Sequence, residues 1–438
     1  MKKVFFSAAL FVCAALISAP LASCSSDDKN DDPVVDVTDP ANYPSAAPQS
    51  LQAVVQTYVN DVVYPTYASL AKNAQQLKTA CDALYAAAEK GSMTQAQIDA
   101  ACSAFKAARV EWEQSEAFLY GAAEDKDIDP HIDSWPLDQS QVKDVLTNSQ
   151  MVNMLKGADA VSYVREKNAD FDTALGFHGM EFVLFRDGKN RTVAALNTNE
   201  TAEGMTSVKG IDEIAFLKAV AGDLRDKCYQ LEFCWSGNAS QAGSQNWFAT
   251  NASDIETSDL FSAKGNSYGE NMFATGNTGK SNWETWQENA NNILVGGCSG
   301  ICQEVYTQKL GQAYRVATKA GGDEDAGDYI ESPYSKNSFT DYQGNIYSIK
   351  NTLYGTRNTS ASAPVQNSLL NYLKKNGYER TANLSAALND AIKALETAKN
   401  SGIAFVDQPG HAQVGEAISK IQALDNELNK AGQWIARN

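Results

Sequence analysis

The chain is poor in histidine: among its 438 residues only His131, His178 and His411 carry an imidazole. No His-Glu-x-x-His run occurs, and Phe182 stands where His-x-x-Glu-His would need its last residue. The usual helix-borne zinc-peptidase motifs are therefore excluded. Basic residues are also outnumbered, 36 lysines and arginines facing 53 aspartates and glutamates for a formal charge of −17. Such a surface repels nucleic acid and anionic membranes and attracts cations. No stretch shows the sustained apolar/polar alternation of a half-buried strand, so the class is all-α. Beyond the N-terminal segment, no apolar run is long enough to span a bilayer.

What the N-terminus does contain is Lys2 and Lys3, an apolar run from Val4 to Ile17, and Leu21-Ala22-Ser23-Cys24. This is the layout of a secretory signal over residues 1–23 that ends in a lipoprotein cleavage box, with Cys24 as the lipid anchor. Its removal takes Lys2 and Lys3 with it and moves the formal charge from −17 to −19. Residues 24–45 are acidic and polar, have nothing to bury, and read as a disordered tether. The run Ser25-Ser26-Asp27-Asp28-Lys29-Asn30-Asp31-Asp32 resembles the acidic export signal of Bacteroidetes surface lipoproteins. That resemblance implies display on the outer face of the outer membrane, the periplasmic face being the alternative.

The length calls for two domains. A polar, Gly/Asn/Thr-rich stretch from Asp187 to Gly210 divides an N-terminal helical domain (46–205) from a C-terminal helical bundle (206–438). Six cysteines remain after Cys13 and Cys24. An even count outside the cytoplasm suggests disulfides, and only Cys81 and Cys102 can be argued as a pair, being almost equidistant from a hairpin tip at Gly91-Ser92.

Apolar residues recur at helical spacing from Leu51 to Lys90, with Pro65 as a kink, and again from a capping box at Thr94/Gln97 to Tyr120. The second stripe carries charges: Arg109 and Glu116 fall on its midline and Glu113 at its edge. Either a structural salt-bridge network or a site would account for them. The loop 121–137 can carry His131 and Asp133 to another element, although a solvated histidine is the simpler reading of His131. Asn282 to Lys319 is helical, breakable at Gly296-Gly297, and its stripe of Ile301, Cys302, Val305 and Val316 includes Lys309.

The most informative stretch is Gly176-Phe177-His178-Gly179-Met180-Glu181-Phe182-Val183-Leu184-Phe185-Arg186. His178 and Glu181 share one helix face, and apolar residues cover the rest, so the helix is buried all round. An imidazole and a carboxylate left unpartnered there would cost several kcal/mol. An internal hydrogen-bonded pair or a ligand site would satisfy them.

Gly176-Phe177-His178-Gly179-Met180-Glu181 is similar to the Gly-x-His-x-x-Glu signature of the imelysin-like family, which includes proteins classed as metallopeptidases and relatives of periplasmic iron-uptake components. Three further stretches resemble the same family in order: Trp112 to Phe118 with Asp129 to Pro136; Gly297 to Lys309; and Glu331 to Ser335 with Asn337 to Ile346. The resemblance implies two helical-bundle domains with a site at or near their interface. It further implies His178 and Glu181 as metal ligands, with Glu113, Glu116, Asp133 and Ser332 as neighbours in the binding site. One imidazole and several carboxylates suit iron or manganese, with zinc as the alternative. The expected function is a lipoprotein that binds a metal ion or metal-linked ligand in iron acquisition. The alternatives are a metallopeptidase, in which His178 and Glu181 would be catalytic, and a metal-free binder of a peptide or small molecule.

Overall fold

A computed structural model describes residues 50–167, 171–202, 204–237 and 260–438. The signal segment, Cys24 and the tether lie outside the described residues, as do the aromatics Trp247 and Phe248.

Pro65 sits at the start of helix α1 (Tyr64–Glu89). A π-helical turn over Tyr58–Val63 joins it to Leu51–Thr57, so the expected kink appears as a widened turn just ahead of the proline. Gly91, in the left-handed conformation at φ +62°, ends the helix after Lys90. The next helix, α2 (Gln95–Glu113), begins at the expected capping box, Thr94 N–H donating to Gln97 Oε1 at 2.9 Å. Helices α3 (Gly176–Leu184) and α4 (Gly210–Ser236) complete the first bundle, α4 lying along α1 and α3 against both α2 and α4. Thus α4, which follows residue 205, packs on helices that precede it. The sole sheet among the described residues is a two-stranded hairpin, Phe185–Arg186 with Lys189–Asn190.

The second bundle comprises the stretch Trp286 to Thr318, α5 (Ser338–Tyr354), α6 (Thr381–Asn400) and α7 (Ala412–Ile435). Gly296-Gly297 does not break the first of these. The chain instead widens into π-helical turns at Asn292–Ser299 and Val305–Lys309. A Cβ on Gly297 would lie 2.2 Å from the Ala117 carbonyl oxygen, so glycine is what lets this stretch approach the first bundle. Each π turn adds a residue and rotates the helix beyond it. Val316, expected on the core stripe, is consequently 42% exposed, while Lys309 is buried.

The two bundles meet where α5 crosses α2 and the 3₁₀ turn Glu116–Phe118. All six described cysteines are buried free thiols. Cys81 and Cys102, the pair expected to bridge, are both free thiols here, and Cys102 Sγ donates to the Leu184 carbonyl oxygen at 3.6 Å. No described helix is long and apolar enough to cross a membrane.

Candidate functional site

At the meeting of the bundles lies a buried cluster of charge. α2 supplies Arg109, Trp112 and Glu113, the 3₁₀ turn supplies Glu116, and a short helical turn, Asp129–Ile132, delivers Asp133. α3 contributes His178 and Glu181, the π turn Val305–Lys309 its last residue, Lys309, the segment 331–335 Glu331, Ser332 and Ser335, and α5 Asp341 and Asn345. Close backbone packing makes this convergence possible. A Cβ on Gly176 would lie 2.1 Å from the Ile132 carbonyl oxygen, and one on Gly344 would lie 2.6 Å from Glu113 Cβ. The first contact sets α3 against the Asp133 turn; the second sets α5 against α2.

His178 is held at both ring nitrogens, Nε2 lying 3.1 Å from Asp133 Oδ1 and Nδ1 lying 3.4 Å from Glu181 Oε2. Glu181 Oε1 accepts from the Ser335 N–H and hydroxyl, each at 2.7 Å. The Trp112 indole donates to Asp133 Oδ2 at 2.7 Å. Arg109 occupies the centre, with Nη1 on Asp133 Oδ1 and Nη2 on Glu331 Oε1. Glu113 Oε1 lies 2.6 Å from Arg109 Nη2 without the alignment of a hydrogen bond, while Asn345 donates to Glu113 Oε2 at 2.6 Å. Lys309 Nζ is 3.4 Å from Glu331 Oε2, again unaligned, and 3.5 Å from Glu116 Oε1. Ser332, a non-glycine residue at φ +52°, donates to Asp341 Oδ2 and so reaches the imidazole only through Asp341, Arg109 and Asp133.

Six carboxylates (Glu113, Glu116, Asp133, Glu181, Glu331 and Asp341) are thus buried against two obligate cations, Arg109 and Lys309, and one imidazole. Burial would depress His178, but its hydrogen bonds to Asp133 and Glu181 carry it up to about 9. Burial would raise Asp133, yet Arg109 and His178 hold it well below the usual carboxylate range. Burial pushes Asp341 up to about 7 despite Arg109, and drives Glu113 and Glu116 well upward against Arg109 and Lys309. The six carboxylates outnumber the three cationic groups, and burial meets the excess by driving Glu113, Glu116 and Asp341 toward their protonated forms.

Two groups within it can hold a metal ion: Asp133, His178 and Glu331, and Glu113, Glu116 and Asp133, each set offering atoms within 4.8 Å of one another. Glu181 stands outside both, with one oxygen taken by Ser335 and the other facing His178. The donor chemistry fits iron or manganese. So do the buried acceptors Glu113 Oε1 and Glu331 Oε2, which lack hydrogen-bond partners.

The structure brings together His178, Glu181, Glu113, Glu116, Asp133 and Ser332, all expected at the site. It adds Arg109 and Lys309, visible beforehand only as charges in core stripes, and Glu331, Ser335 and Asp341, which no periodicity marks as site residues. His131 is not solvated: its side chain is 8% exposed and Nε2 lies 2.5 Å from Asp223 Oδ2 on α4. His411 caps α7, accepting from the Gln413 N–H. Neither histidine is placed to complete a two-histidine zinc site with His178. The run Gly265-Asn266-Ser267-Tyr268-Gly269 has the spelling of a nucleophile elbow, but Ser267 caps the short helix Tyr268–Phe273 and its hydroxyl bonds to Glu270. Beside the cluster, a cleft of about 740 Å³ is lined by Phe182, Arg186, Glu200 and Tyr334 among others. The edge-to-face pair Phe182–Tyr334 belongs to its wall, and the next residues in sequence, Glu181 and Ser335, are hydrogen-bonded to each other.

The family model for imelysin (peptidase M75) matches residues 63–431. Iron-regulated protein A of Synechococcus elongatus is 29% identical over 160 residues, which is 35% of this chain and 39% of that protein. The chain therefore spans about two fifths of the length of this curated relative. A crystal structure described as an iron-regulated protein A precursor from Parabacteroides distasonis superposes with a TM-score of 0.69 at 26% identity, covering 90% of this chain and 98% of that one.

Proposed function

The chain belongs to the imelysin family, and from that premise we propose that it is an iron-linked binding protein whose cargo cation is held by the buried cluster, with Asp133, His178 and Glu331 as ligands. One observation carries the reading: six buried carboxylates surround two fixed cations and one imidazole, and two carboxylate oxygens among them lack hydrogen-bond partners. Burial drives Glu113, Glu116 and Asp341 toward their protonated forms, and a di- or trivalent ion taking the place of those protons would hold them as carboxylates. The relatives named iron-regulated protein A support iron as the cargo, and the nitrogen/oxygen donor set favours iron or manganese over zinc. Glu181 serves as a positioning residue, turning the His178 ring through Nδ1 while Ser335 fixes the carboxylate.

Proteolysis is the less supported reading, since a catalytic zinc normally has three protein ligands and an open water position. Here the other two histidines are committed to Asp223 and to the α7 cap. Titration of the purified protein with ferrous iron and manganese in a calorimeter should show saturable binding. Asp133→Asn and Glu331→Gln should each weaken it at least tenfold, the scale that losing even an outer-shell partner of a ligand reaches. Absence of binding, or binding untouched by both substitutions, would refute the assignment.

The Leu21-Ala22-Ser23-Cys24 box further supports a lipid anchor at Cys24, and the acidic run Ser25 to Asp32 supports presentation of this cargo site on the outer face of the outer membrane, with the periplasmic face as the alternative. Radiolabelled palmitate should enter the native protein and not Cys24→Ala; equal labelling of the two, or none in the native protein, would contradict the anchor.

A further inference from the structure

We infer that Arg109 is a tethered competitor for the cation: its guanidinium occupies the two carboxylates that ligation requires, and loading moves it onto a second pair of acidic side chains held ready beside it. The inference rests on the cation-binding reading above and adds what controls access to that site.

Competition arises from the ligand set itself. Arg109 Nη1 and Nη2 bond to Asp133 Oδ1 and Glu331 Oε1, the carboxylates that with His178 form a group able to hold an ion. Asp133 Oδ1 also faces His178 Nε2 at 3.1 Å, so the oxygen nearest the imidazole is already shared with the guanidinium. A metal cation bound there would meet a like charge at ion-pair distance in a site that excludes water. Arg109 is itself 1% exposed and cannot simply swing into solvent. The ion and the guanidinium therefore compete for the same oxygens.

The second seat lies on the other sides of the guanidinium. Glu113 Oε1, buried and without a hydrogen-bond partner, lies 2.6 Å from Nη2. Arg109 Nε also has no acceptor, and Asp341 Oδ2 lies 3.8 Å from it, just beyond a hydrogen bond. The Phe177 ring centroid is 5.1 Å from the guanidinium carbon, a face on which a displaced cation can rest. A small shift toward Glu113 and Asp341 would satisfy Nε and Glu113 Oε1 together while releasing Asp133 and Glu331. The guanidinium has two acidic seats, and the ion selects between them.

The test compares manganese affinity of the full-length native protein, Arg109→Lys and Arg109→Gln. The lysine variant keeps the buried positive charge, but its single ammonium cannot bridge Asp133 and Glu331 as the planar fork does. Both variants should bind manganese at least tenfold more tightly than the native protein. Because Arg109→Gln leaves carboxylates unpaired and can fail to fold, a second measurement uses the native protein alone. The Arg109 side-chain resonances, assigned in nitrogen-15-arginine-labelled protein, should shift as diamagnetic zinc is added. Equal or weaker manganese binding by a folded Arg109→Lys, or Arg109 resonances unmoved at saturating zinc, would overturn the inference while leaving the cation site standing. No binding of either ion by any of the proteins would remove the site and the inference together.

Discussion

Gly176→Ala is expected to cost about 2–5 kcal/mol of folding stability, the sum of a left-handed penalty of about 1–2 kcal/mol and an overpacking penalty of about 1–3 kcal/mol. The residue sits at φ +65°, and an added Cβ would lie 2.1 Å from the Ile132 carbonyl oxygen, 2.4 Å from its carbon and 2.8 Å from its Cα. All three are backbone atoms, so no side chain can rotate away. The strain falls at the contact that sets His178 against Asp133, and relief requires α3 to lift from the Asp133 turn. Gly402 is the control: it has φ +81° and nothing within 4 Å of an added methyl, so Gly402→Ala isolates the backbone penalty at about 1–2 kcal/mol. Guanidinium denaturation of the two variants measures the difference. If Gly176→Ala is no less stable than Gly402→Ala, the close packing of α3 on the Asp133 turn is wrong.

The second large effect is on pH. In the folded protein His178 titrates at about 9, against about 6.5 in an unfolded chain, because its hydrogen bonds to Asp133 and Glu181 outweigh burial and the opposing charge of Arg109. A group raised in this way contributes stability that is fully present below about pH 6.5 and is lost as the pH climbs through 9. The difference corresponds to about 3 kcal/mol, with a slope of at most about 1.4 kcal/mol per pH unit. Asp341, raised to about 7 by burial, acts with the same sign over a lower window, its contribution fading between its ordinary range and neutrality. Asp133 is depressed and acts oppositely, its contribution being lost as the pH falls below the ordinary aspartate range. Stability of the metal-free protein should therefore be greatest on the acid side of neutrality and decline from pH 7 to 9. His178→Asn should flatten that decline; a native protein equally stable at pH 7 and 9 would show that the imidazole is not held as an imidazolium.

The helices were legible because their apolar spacing is regular, and so was the placement of Arg109, Glu113 and Glu116 on a core-facing surface of α2. The Gly-x-His-x-x-Glu run marked His178 and Glu181 for the same reason: a buried helix with two polar side chains demands partners. Those partners were harder to see. Glu331 and Ser335 lie on a segment with no period, brought into place by a turn with Ser332 at φ +52° and by the Gly188 N–H donating to the Tyr334 carbonyl at 2.9 Å. Asp341 falls within the family-like stretch Asn337 to Ile346, but nothing local says that it faces Arg109. A 3.6-residue period puts Val316 in the core only if it is carried through two π-helical turns, which a sequence pattern does not announce. His131 looked like a solvated loop residue because its partner, Asp223, lies on a helix 92 positions away.

The central claim is that the buried cluster takes a cation through Asp133, His178 and Glu331. Crystals of the protein loaded with ferrous iron, measured on both sides of the iron absorption edge, test it directly. The account predicts one strong anomalous peak within coordinating distance of those three side chains, with the Arg109 guanidinium turned toward Glu113 and Asp341. Iron bound elsewhere, or no peak while Arg109 still bridges Asp133 and Glu331, would contradict it.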